Sequence, residues 1–241
     1  MNLEAKIFDD IVNARRSVRK FDSGYKFDHQ AVDRSIDRAI LSANSSNMQL
    51  WEFYRITSDK AKKDIAEICL NQNAAKTANE LLVFVARPDL WKQRRGKLIQ
   101  HFQSIMPDKE ERKAKLTYQY YEKWIPNLYD IRFPWFSDLA KKALILKNSS
   151  KPFMRDIFSR DVPIICHKSV ALAAQTFMLS IKAEGYDSCP MEGLDSVRLK
   201  TYLNLPKAAE ISMVIGVGKG LPEGVYGDRF RVPKSDVVFE L

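Results

Sequence analysis

Arginines near both ends of the chain supply its most distinctive chemistry. The candidate anion ligands are Arg15, Arg16, Ser17 and Arg19 near the start and Arg229 and Arg231 near the end. A guanidinium group binds phosphate oxygens through two parallel hydrogen bonds. Alternation in an extended chain would put the two terminal arginines on one side. Taken alone, either cluster also fits a solvent-exposed basic surface.

Two other segments carry polar groups suited to a heteroaromatic ligand. Residues 44–51 contain Asn44, Ser45 and Asn47, whose short side chains can donate and accept hydrogen bonds. The second segment consists of Cys189, Pro190, Met191, Glu192 and Gly193. Its proline and glycine exclude a regular helix, and such a turn can direct backbone N–H groups at a ligand. A capped helix end and a plain loop are the alternatives.

Several other chemistries lack the residues that they need. The glycines from Gly216 to Gly220 do not have the spacing of a dinucleotide-binding loop, and Pro222 and Gly224 follow where a helix should begin. We interpret this stretch as the end of a strand. The three histidines and three cysteines lack metal-ligand spacing, so we expect no metal site. The sequence contains neither a nucleophile elbow nor a P-loop.

The positive charge of the chain lies in one segment. The 241 residues include 39 Lys or Arg and 30 Asp or Glu, a formal net charge of +9. Residues 91–160 hold 16 of the basic and 7 of the acidic residues, which accounts for the whole excess, and 12 of the 26 aromatic residues. We call this segment the insert. A basic surplus raises nucleic acid, a membrane surface or small anions as partners.

Composition indicates a soluble cytoplasmic protein without membrane attachment. The hydrophobic content of 45% is ordinary for a globular chain. Three cysteines cannot build a disulfide framework and fit a reducing compartment. The first residues are charged and lack the apolar stretch of a signal peptide. The longest apolar run, Leu81 to Ala86, is too short to span a bilayer.

Helices and scattered strands must position these motifs. Hydrophobic periodicity and caps predict helices over about Leu3–Asn13, over Ala31–Ser42 after a cap at Asp28, after a cap at Ser58, and over Ser169–Ala183 with Gly185 beyond its end. Strands are predicted over Phe53–Thr57, Leu81–Ala86, Ile211–Val217 and Val237–Phe239. The insert is helical in character. This order predicts an α+β fold rather than regular βαβ units.

The weak motifs occur together in one order, and this ordered set resembles the nitroreductase family of FMN-dependent oxidoreductases. It comprises residues 15–21, residues 44–53, Asn71 and Gln72, residues 189–195, and the Arg229/Arg231 pair. The resemblance covers residues 1–90 and 161–241, with the insert as the family's variable helical region. It implies one domain over 1–241, in which helices wrap a mixed or antiparallel sheet. It also implies an intertwined homodimer with FMN at the interface and a C-terminal strand, Asp236–Leu241, exchanged with the partner.

The resemblance also implies a role for each motif residue. The implied cofactor contacts are Arg15, Arg16, Ser17, Arg229 and Arg231 at the phosphate and ribityl chain, Arg19 near flavin N1 and O2, Asn71 at the pyrimidine edge, Asn44, Ser45 and Asn47 from the other subunit, and Pro190, Met191, Glu192 and Gly193 against the ring. The backbone of Glu192 and Gly193 would lie near N5. The chain departs from the family at Leu50, often Pro, and at Ala74, where some members have Lys.

The implied activity is an NAD(P)H-dependent, ping-pong reduction of an electron-poor small molecule such as a nitroaromatic or a quinone. No side chain is expected to act as a catalytic acid or base, because flavin N5 carries the hydride. The alternatives are a flavin-binding family member with specialised chemistry, such as reductive dehalogenation or flavin fragmentation, or one without reductase turnover. Nucleic acid is not an expected partner, because the flavin motifs lie outside the basic insert.

The insert itself receives a hypothesis. Its aromatic residues Tyr120, Tyr121, Trp124, Trp135 and Phe136 would line the entrance of the substrate pocket. Its surplus of Lys and Arg would attract anionic substrates, including the phosphates of NAD(P)H. The alternative is that its apolar faces pack on the body and its charges face solvent.

Overall fold

A four-stranded antiparallel sheet forms the centre of the protein. The computed structural model describes residues 2–108, 110–130 and 133–241. The strands are β1 (Trp51–Ile56), β2 (Glu80–Ala86), β3 (Asp187–Met191) and β4 (Glu210–Gly218), in the spatial order β1-β2-β4-β3. Each neighbouring pair is antiparallel. β2 lies inside the sheet and is buried along its whole length, as its apolar run predicts.

Helices surround this sheet and confirm the predicted α+β class. They are α1 (Leu3–Ala14), α2 (His29–Ala39), α3 (Asp59–Ile68), α4 (Asn73–Thr77), α5 (Trp91–Ile105), α6 (Arg112–Gln119), α7 (Ile125–Tyr129), α8 (Pro134–Lys147), α9 (Asp161–Ala183) and α10 (Ser196–Tyr202). A π-helical turn over Tyr120–Trp124 joins α6 to α7. It directly precedes Pro126, which lacks the backbone N–H that a regular α-helix would need there.

The two faces of β2 carry the two halves of the core. Leu82, Phe84 and Ala86 pack with residues of α2, α9 and the insert. Leu81, Val83 and Val85 pack with α3, α4 and α10. This division follows from the alternation of side chains along a strand.

The central helix is α9, which contacts α2 and all four strands. By length and composition its 23 residues could cross a membrane, but half of the apolar window is buried inside this protein. The sequence predicts its start at Ser169, whereas it begins at Asp161. Pro163 lies in the first turn, where a missing N–H costs no intrahelical bond.

Three predicted helix ends are confirmed. The side chain of Asp28 accepts a hydrogen bond from Gln30 N (2.9 Å), and Ser58 Oγ accepts one from Ala61 N (3.3 Å). Gly185 follows α9 with φ of +86°, in the left-handed region that favours glycine.

Two expectations about extended segments are corrected. The predicted strand Val237–Phe239 is wrong, because in the described tail a short 3-10 turn over Lys234–Asp236 is followed by irregular chain. The segment from Cys189 to Gly193 is not wholly a turn, since β3 continues to Met191. Pro190 is tolerated in it because β3 lies at the edge of the sheet.

Candidate functional site

The predicted anion ligands from both ends of the chain meet in one hollow. Its volume is about 200 Å³, and it is lined by Arg15, Arg16, Ser17, Arg19, Val225, Tyr226, Asp228, Arg229, Phe230 and Arg231. Because α1 ends at Ala14, the residues that follow run extended, and Val18 N donates to Ser188 O of β3 (3.1 Å). The first arginine cluster therefore lies beside the edge strand.

Hydrogen bonds hold the terminal segment against the end of α1. Arg229 Nη2 donates to Asn13 O (2.9 Å) and to Arg15 O (2.6 Å). Arg16 Nη2 donates in the other direction, to Gly227 O (2.7 Å). These contacts join residues that are more than 200 positions apart.

The hollow is strongly positive. Burial, together with the charges of Arg229, Arg231 and Arg16, lowers the pKa of Arg15. Among the described residues that line the hollow, Asp228 is the single acid. Crowded cations of this kind are stabilised by an anion between them. Several guanidinium groups around so small a space form a donor set suited to a phosphate.

Arg19 occupies the same hollow in a different setting. Its guanidinium lies 5.1 Å from the centre of the Tyr226 ring, a cation–π distance. Arg19 N donates to Gly224 O (2.8 Å), so its backbone is fixed as well. The hollow therefore contains one cation that is held over an aromatic ring.

The end of β3 presents the predicted turn at the sheet edge. Cys189 and Met191 are buried, so the alternation along the strand directs Pro190 and Glu192 to the other face. Gln72 Nε2 donates to Gly193 O (2.7 Å) and to Cys69 O (3.1 Å). Gln72 therefore anchors the turn at Gly193.

The sequence assigns no role to Gln72, although it stands next to Asn71 in the motif. Asn71 itself has φ of +55° just after α3 and lines a hollow of about 360 Å³ with Lys62 and Lys76. The arginine hollow is formed by other residues. A side-chain amide beside Asn71 was the one signal that could have indicated Gln72.

Glu192 also lines a hollow of about 630 Å³ between α9 and β4. His167 lines it too, and His167 Nε2 lies 2.8 Å from Glu210 Oε2. Ile164 and Ala171 of α9 are exposed beside it. The turn at 190–193 thus faces an open region bounded by the central helix.

The segment from Asn44 to Asn47 forms a tight polar loop against α9. Asn44 Oδ1 accepts a hydrogen bond from Gln49 N (2.8 Å), and Ser45 N donates to Ser169 Oγ (3.2 Å). Asn47 has φ of +50°, in the left-handed region. The residues that line the arginine hollow do not include this segment. Within one chain, the two groups of predicted cofactor contacts are therefore separate.

The five predicted pocket aromatics are divided between a cavity, the core and the surface. Tyr120 and Trp124 line a cavity of about 590 Å³ within the insert. Tyr121 is buried in the core and its hydroxyl donates to Ser46 O (2.9 Å). Trp135 and Phe136 of α8 are 79% and 69% exposed. The structure therefore brings two of the five together at one cavity.

Metal and thiol chemistry find no support in the described part of the chain. It contains no group of three His, Cys, Asp or Glu side chains able to hold a metal ion. Burial raises the pKa of the Cys69 thiol to about 11 and that of Cys166 to about 12. Burial likewise raises the pKa of Cys189. Near neutral pH these thiols stay protonated, so none supplies a thiolate nucleophile.

Comparison with known proteins places this geometry in context. An oxygen-insensitive NADPH nitroreductase of Helicobacter pylori is 25% identical over 235 residues, covering 95% of this chain and 93% of the relative. The crystal structure of the Bacillus subtilis protein ydfN has a TM-score of 0.76 at 20% identity, covering 99% of this chain and 100% of the other. An Exiguobacterium sibiricum structure in complex with FMN has a TM-score of 0.68 at 20% identity, with 97% of each chain covered.

The family assignment comes from the sequence itself. Residues 12–219 match the family model described as the nitroreductase family. That range runs from α1 to the end of β4 and contains both the arginine cluster at 15–19 and the turn at 190–193. The chain belongs to the nitroreductase family.

Proposed function

We propose that the protein is an FMN-dependent oxidoreductase that takes a hydride from NAD(P)H and reduces an electron-poor acceptor, such as a nitroaromatic compound or a quinone. The observation that carries the proposal is the arginine hollow, where anion ligands from both ends of the chain surround a space of about 200 Å³. The FMN-bound Exiguobacterium structure supports the cofactor, and the name of the Helicobacter relative supports the electron donor.

The hollow fits the phosphate end of FMN. A bound dianion would offset the mutual repulsion of Arg15, Arg16, Arg229 and Arg231, which lowers the pKa of Arg15. Ser17 adds a hydroxyl donor to the same space. We propose these five residues as ligands of the phosphate and ribityl groups. When bound, FMN would supply hydride transfer at its N5 atom.

Other residues of the chain would orient the flavin ring. We assign Arg19 as the cation near its pyrimidine end, where a positive charge favours an electron-rich ring. The turn from Pro190 to Gly193 would lie against the ring, and Gln72 keeps this turn in place through Gly193 O. Asn71 remains a predicted contact of the pyrimidine edge. The role of these groups is to hold and orient, so no acid or base is required.

A homodimer would complete this site. The exposed face of α1 carries Leu3, Ile7, Phe8 and Val12, and the C-terminal tail exposes Phe230, Val237 and Phe239. Contiguous exposed apolar side chains indicate a protein–protein interface. A second copy could place its Asn44, Ser45 and Asn47 against the flavin bound here, with the tail reaching around it. Light scattering should then give twice the chain mass of 27.8 kDa.

We also propose that residues 1–241 form one domain with the insert at about 91–160 as part of its body. Tyr121, Ile125 and Tyr129 of the insert share a core cluster with α9, which supports this arrangement. The three unpaired buried thiols agree with a cytoplasmic location, since that compartment is reducing.

The proposal is tested by reconstituting the purified protein with FMN. We expect one FMN per chain, a visible flavin spectrum that bleaches when NADH or NADPH is added without oxygen, and recovery of colour on addition of a nitroaromatic or quinone. A protein that cannot retain FMN would contradict the proposal. A flavoprotein that neither nucleotide bleaches would instead favour a family member with specialised chemistry.

A further inference from the structure

The cavity inside the insert is large enough for an organic molecule. Its volume of about 590 Å³ lies in the range of small-molecule sites. Its walls come from the helical stretch around Trp124 and Leu128, from α8, and from the segment 152–157. Leu144, Phe153, Met154 and Ile157 make most of this lining apolar.

One charged group interrupts the apolar lining. Lys141 of α8 lines the cavity and is only 8% exposed. Its Nζ is buried and has no hydrogen-bond partner among the described residues. The surrounding carboxylates are Asp130, Asp138 and Asp161, and they oppose the burial that lowers the pKa of Lys141 only in part.

Two of these carboxylates are engaged elsewhere. Asp138 accepts hydrogen bonds from the backbone N–H (2.8 Å) and the hydroxyl of Ser159 (2.5 Å). Asp161 accepts one from Phe158 N (2.9 Å). A buried ammonium without a hydrogen-bonded counter-ion is costly. The site therefore has an unmet demand for one anionic acceptor next to apolar walls.

We propose that this cavity binds an organic monocarboxylate with an apolar body, whose carboxylate pairs with Lys141. One lysine matches one negative charge, whereas a phosphate dianion would need further donors that the apolar walls do not supply. The inference rests on the proposed function in one respect, because the bound molecule would be the acceptor that the enzyme reduces.

A direct contact links this cavity to the predicted flavin-side loop. The hydroxyl oxygens of Tyr120, which lines the cavity, and of Ser46 lie 2.6 Å apart. Ser46 stands between Ser45 and Asn47, which we assign to the flavin of the partner. The wall of the cavity is thus one side chain away from that loop, so an acceptor bound in the insert can reach toward the flavin.

The test compares 6-(4-nitrophenyl)hexanoate with its methyl ester, which lacks the charge. Binding is measured by calorimetry on the oxidised holoenzyme without NAD(P)H, so it does not depend on turnover. We expect the acid to bind roughly tenfold tighter than the ester, as a charge-assisted hydrogen bond implies. Lys141→Met should abolish this preference, while Lys142→Met, at an exposed lysine of the same helix, should keep it.

Equal binding of acid and ester to the wild-type protein, or an unchanged preference in Lys141→Met, would overturn the inference. If Lys141→Met does not fold, the wild-type comparison and Lys141→Arg, which keeps the charge and should keep the preference, decide the matter. Reduction of nitrobenzene without any preference for the acid would leave the proposed function standing and reject the carboxylate site. Preferential binding of the acid without any flavin reduction would do the reverse.

Discussion

Arg231 is the arginine of the hollow whose charge can be removed with the least structural change. Its Nη1 donates to the neighbouring Phe230 O (2.6 Å), whereas Arg229 also ties the tail to α1. We expect Arg231→Gln to raise the dissociation constant of FMN by roughly tenfold or more, because a hydrogen bond to a charged group contributes about 1.5–3 kcal/mol. Quenching of FMN fluorescence on binding measures the change.

The matched control is Arg198→Gln, which removes an exposed arginine of α10 outside the hollow. FMN affinity should be unchanged in this variant. The double variant Arg229→Ala with Arg231→Ala should retain FMN less well than either single one. Equal FMN affinity of Arg231→Gln and Arg198→Gln would remove Arg231 from the phosphate site.

Gln72 provides a second prediction at single-residue resolution. In Gln72→Glu a carboxylate would face the carbonyl oxygens of Gly193 and Cys69, where the native amide donates to both. We expect the free energy of unfolding to fall by about 1–3 kcal/mol, the cost of leaving such groups without a donor. FMN affinity should fall as well, since the turn at 190–193 loses its anchor. Urea unfolding and FMN titration measure the two effects.

Gln103→Glu, at an exposed position of α5, makes the same chemical change away from the turn. It should alter neither quantity by more than a few tenths of a kcal/mol. If Gln72→Glu were equally silent, the bond to Gly193 would be incidental and the turn would be held by other contacts.

The residue types of the site could be predicted, but their meeting could not. The arginines at 15–19 and 229–231 were candidates from chemistry alone, and the resemblance supplied their common role. Their contact depends on the course of the tail, which is fixed by bonds such as Arg16 to Gly227 O across 211 positions. Gln72 was missed because its partner is a backbone carbonyl, which leaves no trace in the residue types.

At the scale of elements, α4 and β4 approach so closely that a glycine is required. A Cβ at Gly216 would lie 2.7 Å from Ala74 O, whereas a Cβ at Gly96 in α5 meets no atom within 4 Å. Gly216→Ala should therefore lower the free energy of unfolding by about 1–3 kcal/mol, as overpacking does. Gly96→Ala should raise it by about 0.5–1 kcal/mol, because alanine favours the helix.

Denaturant unfolding of both variants checks this pair directly. A loss for Gly96→Ala comparable to that for Gly216→Ala would mean that any change of glycine destabilises this protein. A neutral Gly216→Ala would mean that α4 shifts away from β4 at little cost.

The elements that the sequence predicted are those with local signals. β2 is an apolar run, and α2 and α3 begin at the side-chain caps Asp28 and Ser58. The misplaced elements depend on neighbours. β3 admits Pro190 because of its edge position, and the tail around Val237 has no strand beside it in the chain. A strand forms only where a second strand supplies its hydrogen bonds.

At the scale of the whole molecule, the distribution of charge separates two tasks. The net charge of +9 equals the excess of the insert, so the remaining chain, which contains the arginine hollow, is neutral overall. The hollow is positive through local crowding, not through the total. The charge of the insert therefore bears on the approach of substrates to the protein, where long-range fields act.

NADPH is the substrate on which this field should act most visibly, because it carries one phosphate more than NADH. Lys97, Lys113 and Lys123 are exposed in the insert. Replacing all three by Gln should lower kcat/KM for NADPH at low ionic strength by about threefold or more and flatten its dependence on salt. The effect with NADH should be smaller. The control replaces Lys26, Lys63 and Lys207, which are exposed outside the insert, by Gln. Stopped-flow measurement of flavin reduction compares the two triple variants. If both respond alike, or if salt leaves the wild-type rate with NADPH unchanged, the insert does not steer the nucleotide, and its lysines and arginines only keep a helical surface in solvent.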